Sequence, residues 1–499
     1  MSLIETGIRG LDEVLGGGFP AQNTLLISGS PGTGKTILGM QFIRNGILIK
    51  GEPGVILTFE QFPEMIYRDA ASLGWDFREL EKRGQLRVIH TSAQTYLQEM
   101  RAPGNLIERA IRDIGAKRCF VDGFLLALSD GRIHKEVEVR QLFDSLRREG
   151  LYVMAAKEKP ADEASGMSYE SFLGDTIIQL NYESDRQRRV RSLEVIKSRG
   201  QGFLGGSHSF AIRPDDGLVV YPRFKAPHET TLEIGEFSEE RVSTGVAGVD
   251  AMTAGGVLRG STTLVAGVSG VGKSILGLQL LTEGARAGER GLLISFDEPP
   301  QFIQRQAVSI GLDVKAAVDS GALVLRHLSP VELEVNRHLH EIRNLVVVGK
   351  VRRLVLDAVS IFEAGTDPVS FRDYLVSLVS LLRANGVTTY LISELRDYAN
   401  LERLTAYGTS CVADNILIMR FLEHRGQVRK VMAVVKARGS DHDRGIHEYR
   451  IENGGIRVLP SNSSMDTAGT LPLDEYRNLL LGSVQWHPHT DEGGGASRM

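Results

Sequence analysis

Cysteine is almost missing: the 499 residues hold two, Cys119 and Cys411, one in each half. That count excludes a disulfide scaffold and a cysteine-built zinc site. No apolar run reaches the roughly 20 residues needed to cross a bilayer, and the opening "MSLIETGIRG" has no signal-peptide pattern. A cytoplasmic protein with no membrane partner is the expectation. An excess of one charge is also lacking, with 58 Lys and Arg against 62 Asp and Glu and a net charge of −4. Such a balance exerts no global pull on nucleic acid or an anionic surface. The most basic run, "RQRRVR" from Arg186, has no interleaved aromatics and reads as a solvated hairpin tip rather than a strand-binding segment.

What is present is ordinary globular composition, 42% hydrophobic and 24% charged, in a chain too long for one core. Two domains are therefore expected. One short motif occurs twice. "GSPGTGKT" comprises Gly29, Ser30, Pro31, Gly32, Thr33, Gly34, Lys35 and Thr36, and "GVSGVGKS" comprises Gly267, Val268, Ser269, Gly270, Val271, Gly272, Lys273 and Ser274. Both fit G-x-x-x-x-G-K-[ST], the phosphate-binding P-loop. Its glycines let the backbone curl so that successive N–H groups face phosphate oxygens, and the following helix adds its positive end. Lys35 and Lys273 would reach the β- and γ-phosphates of ATP, and the hydroxyls of Thr36 and Ser274 would coordinate Mg²⁺. Each loop follows an apolar run ("TLLISG", "TTLVAG") and leads into a helical pattern ("ILGMQFI", "ILGLQLL"), which is the strand–loop–helix context the motif requires.

With the loops superposed, the rest of each half falls into register. The two lysines stand 238 residues apart, and so do Asp12 and Asp250 in "TGIRGLDEVLGGGFP" and "TGVAGVDAMTAGGVLRG". "VILTFEQFP" matches "LLISFDEPP", "KRCFVDGF" matches "RRLVLDAV", and "IKSRG" matches "VKARG". Apolar strand-like runs alternate with helical stretches, predicting α/β units with a mostly parallel sheet covered on both faces. Late in each half, "TIIQLNYE" with "RSLEVIK" and "NILIMRFLE" with "VMAVVK" predict a C-terminal hairpin added to that sheet. The expected organisation is a first domain over 1–225, a linker over 226–241, a second domain over 242–460 and a polar, mobile tail over 461–499. "LPLDEYRNLLLGSVQW" in that tail has the pattern of one short amphipathic helix.

The strand ends "CFVDG" and "LVLDA" place Asp122 and Asp357 to bind Mg²⁺ through water, although a helix N-cap also takes an aspartate. Hydrolysis or phosphoryl transfer needs a group that orients or deprotonates the attacking oxygen. Glu60 in "TFEQFP", and Asp297 with Glu298 in "SFDEPP", are the candidates; capping of the next helix is the competing role. The last strands carry Lys197 with Arg199 and Lys436 with Arg438. A basic pair on a strand edge is commonly a solvated face. Its recurrence in both copies suits cations that complete a phosphate site from a neighbouring subunit.

The combination of T-G-x-x-G-[LV]-D, P-loop, F-[ED]-x-x-P turn, strand-end Asp and final K-x-R-G resembles the KaiC family of circadian-clock ATPases and autokinases, over about residues 1 to 460. "VVKARGSDHDRGIHEYRI" from Val434 is especially similar to the end of that family's second domain. The resemblance implies two tandem RecA-like P-loop domains in a two-tiered homohexamer. Nucleotide would lie between subunits, with P-loop from one protomer and K-x-R from the next. It implies slow ATP hydrolysis in the first domain and autophosphorylation of a neighbour's Ser-Thr pair by the second. It selects Glu60 and Asp297 as catalytic acids, with Glu298 beside the latter. The family's two adjacent glutamates are here Glu60-Gln61 and Asp297-Glu298. Asp414 precedes Lys436 by the same 22 residues that separate Asp175 from Lys197, which puts "TSC" at the acceptor segment. Ser410 then stands in the serine place, and Cys411 replaces the threonine, so an ordered two-site cycle is not supported. The resemblance is not traced beyond residue 460, and regulatory protein partners are left open. Two other functions also fit: a nucleotide-controlled assembly module without kinase activity, and a RecA-like DNA-dependent ATPase, against which the charge balance argues.

Overall fold

Two stretches of sequence with one ancestry give two nine-stranded sheets with one strand order. The computed structural model describes residues 2–92, 95–96, 99, 105–123, 132–158, 174–185, 188–224, 238–328, 335–361, 368–395, 412–424 and 427–460. Most of the linker, Ser410, Cys411, the start of "RQRRVR" and the tail with its helical pattern lie outside these residues. Internal contacts divide the chain into two compact units, residues 1–224 and 225–499.

Apart from a short two-stranded ribbon in each unit, the strands of the first unit are β1 (Leu25–Gly29), β2 (Gly54–Thr58), β3 (Leu86–His90), β4 (Arg118–Asp122), β5 (Tyr152–Glu158), β6 (Thr176–Asp185), β7 (Arg188–Ser198), β8 (His208–Arg213) and β9 (Gly217–Tyr221). They form one sheet in the order β9-β8-β7-β6-β1-β5-β4-β2-β3. The six from β6 to β3 in that order run parallel, and β7 to β9 extend the edge antiparallel. The second unit repeats this with β10 (Thr262–Gly267), β11 (Gly291–Ser295), β12 (Leu323–His327), β13 (Arg353–Asp357), β14 (Thr388–Glu394), β15 (Asn415–His424), β16 (Gln427–Ala437), β17 (His447–Glu452) and β18 (Gly455–Val458). Their order is β18-β17-β16-β15-β10-β14-β13-β11-β12. These are tandem RecA-like α/β units with flanking helices, as the alternating pattern predicts.

Period-2 geometry explains the near-continuous apolar strands. Along β1, Leu25 and Ile27 join a core with Leu38 and Phe42 of the helix Lys35–Asn45. Leu26 joins the opposite core with Val55, Val121, Val139 and Phe143. A strand packed on both faces favours an apolar residue at nearly every position; in β1 only Ser28, beside the loop, is polar.

The structure adds one hairpin per unit that the sequence reading missed, β8–β9 and β17–β18. Its turns, "RPDDG" and "ENGG", carry the Asp-Gly and Asn-Gly pairs that mark hairpins, with Asp215 at φ 65°. Of the basic run, Arg191 pairs across the ladder with Tyr182 and lies over its ring at 4.2 Å.

The repeated T-G…D motif is a structural latch. Thr6 donates to Asp12 through both its N–H (2.7 Å) and hydroxyl (2.8 Å), and the Gly7 N–H donates at 2.9 Å. Thr244 binds Asp250 in the same way at 2.8 and 2.6 Å. Each turn is then gripped by a buried arginine at the start of a central strand. Arg118 donates to the carbonyls of Glu5 (2.9 Å) and Phe42 (3.1 Å) and to Glu52 (2.7 Å). Arg353 donates to the carbonyls of Ser243 (2.7 Å) and Leu280 (3.0 Å) and to Glu289 (2.5 Å). These buried guanidiniums fix each P-loop helix to the turn that opens its unit.

Candidate functional sites

Each loop leaves the C-terminal end of the central strand of its sheet, and its final glycine is held in a conformation closed to other residues. Gly34 has φ 105° and Gly272 φ 106°, and a Cβ there would press on Ile212 (3.0 Å) or Ile451 (2.9 Å). The helices Lys35–Asn45 and Lys273–Arg286 begin immediately after, so their unpaired first-turn N–H groups face the loop's hollow. Gly39 lets the first helix sit against β4, where an added Cβ would fall 2.1 Å from the Phe120 ring.

The lysines are buried. The Lys35 ammonium donates to the carbonyls of Gly29 (2.9 Å) and Ser30 (3.0 Å), and that of Lys273 to Val268 (2.8 Å). Burial lowers the pKa of both, opposed by carboxylates, chiefly Glu158 and Glu394. The Thr36 hydroxyl donates to Asp122 at 3.0 Å, and that of Ser274 to Asp357 at 2.5 Å. A hydroxyl and a carboxylate meeting at the loop's floor are hard oxygen donors of the kind Mg²⁺ takes alongside phosphates, so the residues fit that ion. Among the described residues there is no group of three or more His, Cys, Asp or Glu able to hold a metal alone. Burial pushes Asp122 up to about 6, against the Thr36 hydrogen bond, and raises Asp357 as well.

The turn after β2 is tied to Asp122, whose carbonyl accepts from the Phe59 N–H at 3.1 Å; in the second unit Phe296 donates to the Asp357 carbonyl at 2.7 Å. Strand-end hydroxyls shape both turns, with the N–H of Gln61 on Thr58 (3.0 Å) and that of Glu298 on Ser295 (2.9 Å). These contacts make Glu60 equivalent to Asp297 and Gln61 to Glu298. The Glu60 carboxylate covers Gly123, where a Cβ would lie 2.4 Å from its Oε1. Burial, then the neighbouring Glu158, raises its pKa. Asp297 and Glu298 are exposed and close enough to Asp357 to raise its pKa in turn.

Glu158 and Glu394 were missed by the sequence reading. Each ends the strand beside the loop strand, in register with the loop's first glycine, and Glu158 lies 4.0 Å from the Lys35 ammonium. "AAKE" and "LISE" carried the signal: a third strand-end acid repeating in both halves.

Lys197, Arg199, Lys436 and Arg438 are not brought to the loops of their own units. Lys197 pairs with Ile177, and the Arg199 N–H donates to the Asp175 carbonyl, at the edge where β1 begins. Arg199 also pairs with the Asp175 carboxylate at 3.4 Å. Lys436 pairs with Ile416 and donates to the Ala413 carbonyl at 2.7 Å, and the Arg438 N–H donates to Asp414. The P-loops leave the opposite ends of these sheets.

A tandem RecA-like fold with a P-loop, a hydroxyl–carboxylate floor and flanking acids in each unit defines a two-site nucleotide-binding P-loop ATPase. The family described as "ATPase: KaiC" matches the chain twice, over residues 4–225 and 242–463. The circadian clock oscillator protein KaiC of Parathermosynechococcus lividus is 31% identical over 471 residues, covering 92% of this chain and 85% of the relative. Its counterpart in Picosynechococcus sp. is also 31% identical, covering 92% and 90%, and that of Acaryochloris marina is 29% identical, covering 95% and 93%. The chain belongs to the KaiC ATPase family. Among the described residues no helix is long and apolar enough to cross a membrane.

Proposed function

We propose that the two ATP sites divide the work: the first hydrolyses ATP and holds a hexameric ring together, and the second transfers a phosphate to Ser410 of a neighbouring subunit. One observation carries the intersubunit reading. The K-x-R pairs, and Asp414 four residues beyond Ser410, occupy the sheet edge opposite their own loops. Cations at that edge serve a nucleotide bound by the next protomer, with Lys197 and Arg199 acting at the first site and Lys436 and Arg438 at the second. The KaiC relatives are named for a circadian clock oscillator, which favours a timing or signalling switch with regulatory protein partners.

At each site the loop amides and lysine bind the phosphates. Thr36 with Asp122, and Ser274 with Asp357, would hold Mg²⁺, which neutralises phosphate charge when bound. Glu60 orients the attacking water in the first site. Asp297, with Glu298 beside it, accepts the proton of the incoming hydroxyl in the second.

Mixing tests the transfer. Lys273→Ala keeps its acceptor and loses its donor site, while Ser410→Ala does the reverse. Incubated together with Mg²⁺-ATP, the Lys273→Ala chain should acquire phosphate on the "TSC" peptide by mass spectrometry. ATP consumption by wild type with no phosphate on that peptide would refute the kinase step and leave an ATPase switch.

A further inference from the structure

The two P-loops are braced by different means. In the first, Thr33 closes the loop from within, its hydroxyl donating to the Ser30 carbonyl at 2.9 Å. In the second, the equivalent residue is Val271, which has no hydroxyl. Its carbonyl instead accepts a 2.7 Å hydrogen bond from the hydroxyl of Tyr449, 178 residues away on β17. Ladder pairing of the last hairpins makes Phe210 the counterpart of Tyr449 and Ile212 that of Ile451, so the first unit cannot make this bond. Both aromatic side chains are fully buried. The second hairpin is otherwise fastened to the same loop and helix: Ile451 lies against Gly272, and the Ile456 N–H donates to Gln279 of the P-loop helix at 2.7 Å.

We propose that Tyr449 is a positioning residue for the second nucleotide site, holding its P-loop in the phosphate-binding shape through the Val271 carbonyl, whereas the first site relies on Thr33. The proposal rests on both loops binding ATP. A buried carbonyl stripped of its partner drives the empty loop to relax toward water. Nucleotide must then restore the loop, so the cost appears as lost affinity. Tyr449 touches no reacting atom, so turnover of bound nucleotide should be little changed while KM rises.

In full-length protein carrying Lys35→Ala to silence the first site, titration with a fluorescent ATP analogue reads the second. Tyr449→Phe should weaken binding about tenfold, the effect of one such bond. Val271→Thr added to the same chain should restore most of it, because it installs the brace of the first loop. The space matches: a Cβ built on the first glycine of each loop meets the Thr33 hydroxyl at 2.8 Å and a Val271 methyl at 3.1 Å. In a Lys273→Ala background, Tyr449→Phe should leave first-site affinity unchanged. Unaltered second-site affinity, a weakening that Val271→Thr does not repair, or an equal loss at the first site would each overturn the proposal. Absence of nucleotide binding in the Lys35→Ala parent would overturn both the brace and the two-site reading beneath it.

Discussion

Replacing each loop lysine by alanine separates the two sites, and the structure sets the size of the effect. Without nucleotide, the Lys35 ammonium rests on the Gly29 and Ser30 carbonyls at 2.9 and 3.0 Å, in a place that burial makes unfavourable for charge. Its removal forfeits those bonds but also the desolvation, so the stability of the empty protein should shift by no more than about 1 kcal/mol. Binding is different. One or two charge-assisted bonds to phosphate, worth about 1.5–3 kcal/mol each, are lost, and affinity at that site should fall on the order of 10- to 10,000-fold. Hydrolysis, which develops charge on the same oxygens, should fall at least as far. Lys35→Ala is therefore expected to remove most phosphate release and ring assembly, read by a phosphate assay and light scattering. Lys273→Ala should spare most hydrolysis and abolish phosphate on the "TSC" peptide. Equal loss of both activities from either change would refute the division of labour, and an unfolded Lys35→Ala protein would refute the stability argument.

Two further outcomes follow from the packing around the loops. Because burial holds Asp122 near 6, against an ordinary 3.8, the unfolded chain gives up this proton first as pH rises. The folded, nucleotide-free protein then loses up to about 3 kcal/mol between pH 4 and 6 and does not regain it above. Asp122→Asn should thus raise the urea midpoint at pH 8 in EDTA while abolishing first-site hydrolysis; a lower midpoint at pH 8 would contradict this. Gly39→Ala should destabilise by about 1–3 kcal/mol despite alanine's better helix propensity, because the new methyl falls 2.1 Å from the Phe120 ring. Gly277→Ala, facing Val355 at 2.8 Å, should cost less, and thermal melts of the two variants check the order.

The repeat, the α/β alternation and both P-loops were legible because each is local: a loop that wraps phosphate needs its glycines and lysine at fixed spacing, and a strand buried on both faces needs an unbroken apolar run. The strand-end carboxylates Asp122 and Asp357 were legible for the same reason. The final hairpins went unread, although their Asp-Gly and Asn-Gly turns are local signals. Long-range partners were not. Asp12 and Asp250 aligned the halves, yet only folding showed that they tie down their own turns, and that Arg118 and Arg353, distant in sequence, grip those turns. Glu158 becomes a site residue through strand order, which sets β5 beside β1. Tyr449 reaches Val271 across 178 residues because the last hairpin returns over the P-loop helix. Local chemistry specified two ATP sites; what surrounds each lysine, and which residues brace each loop, was decided by strand pairing, which no residue spacing encodes.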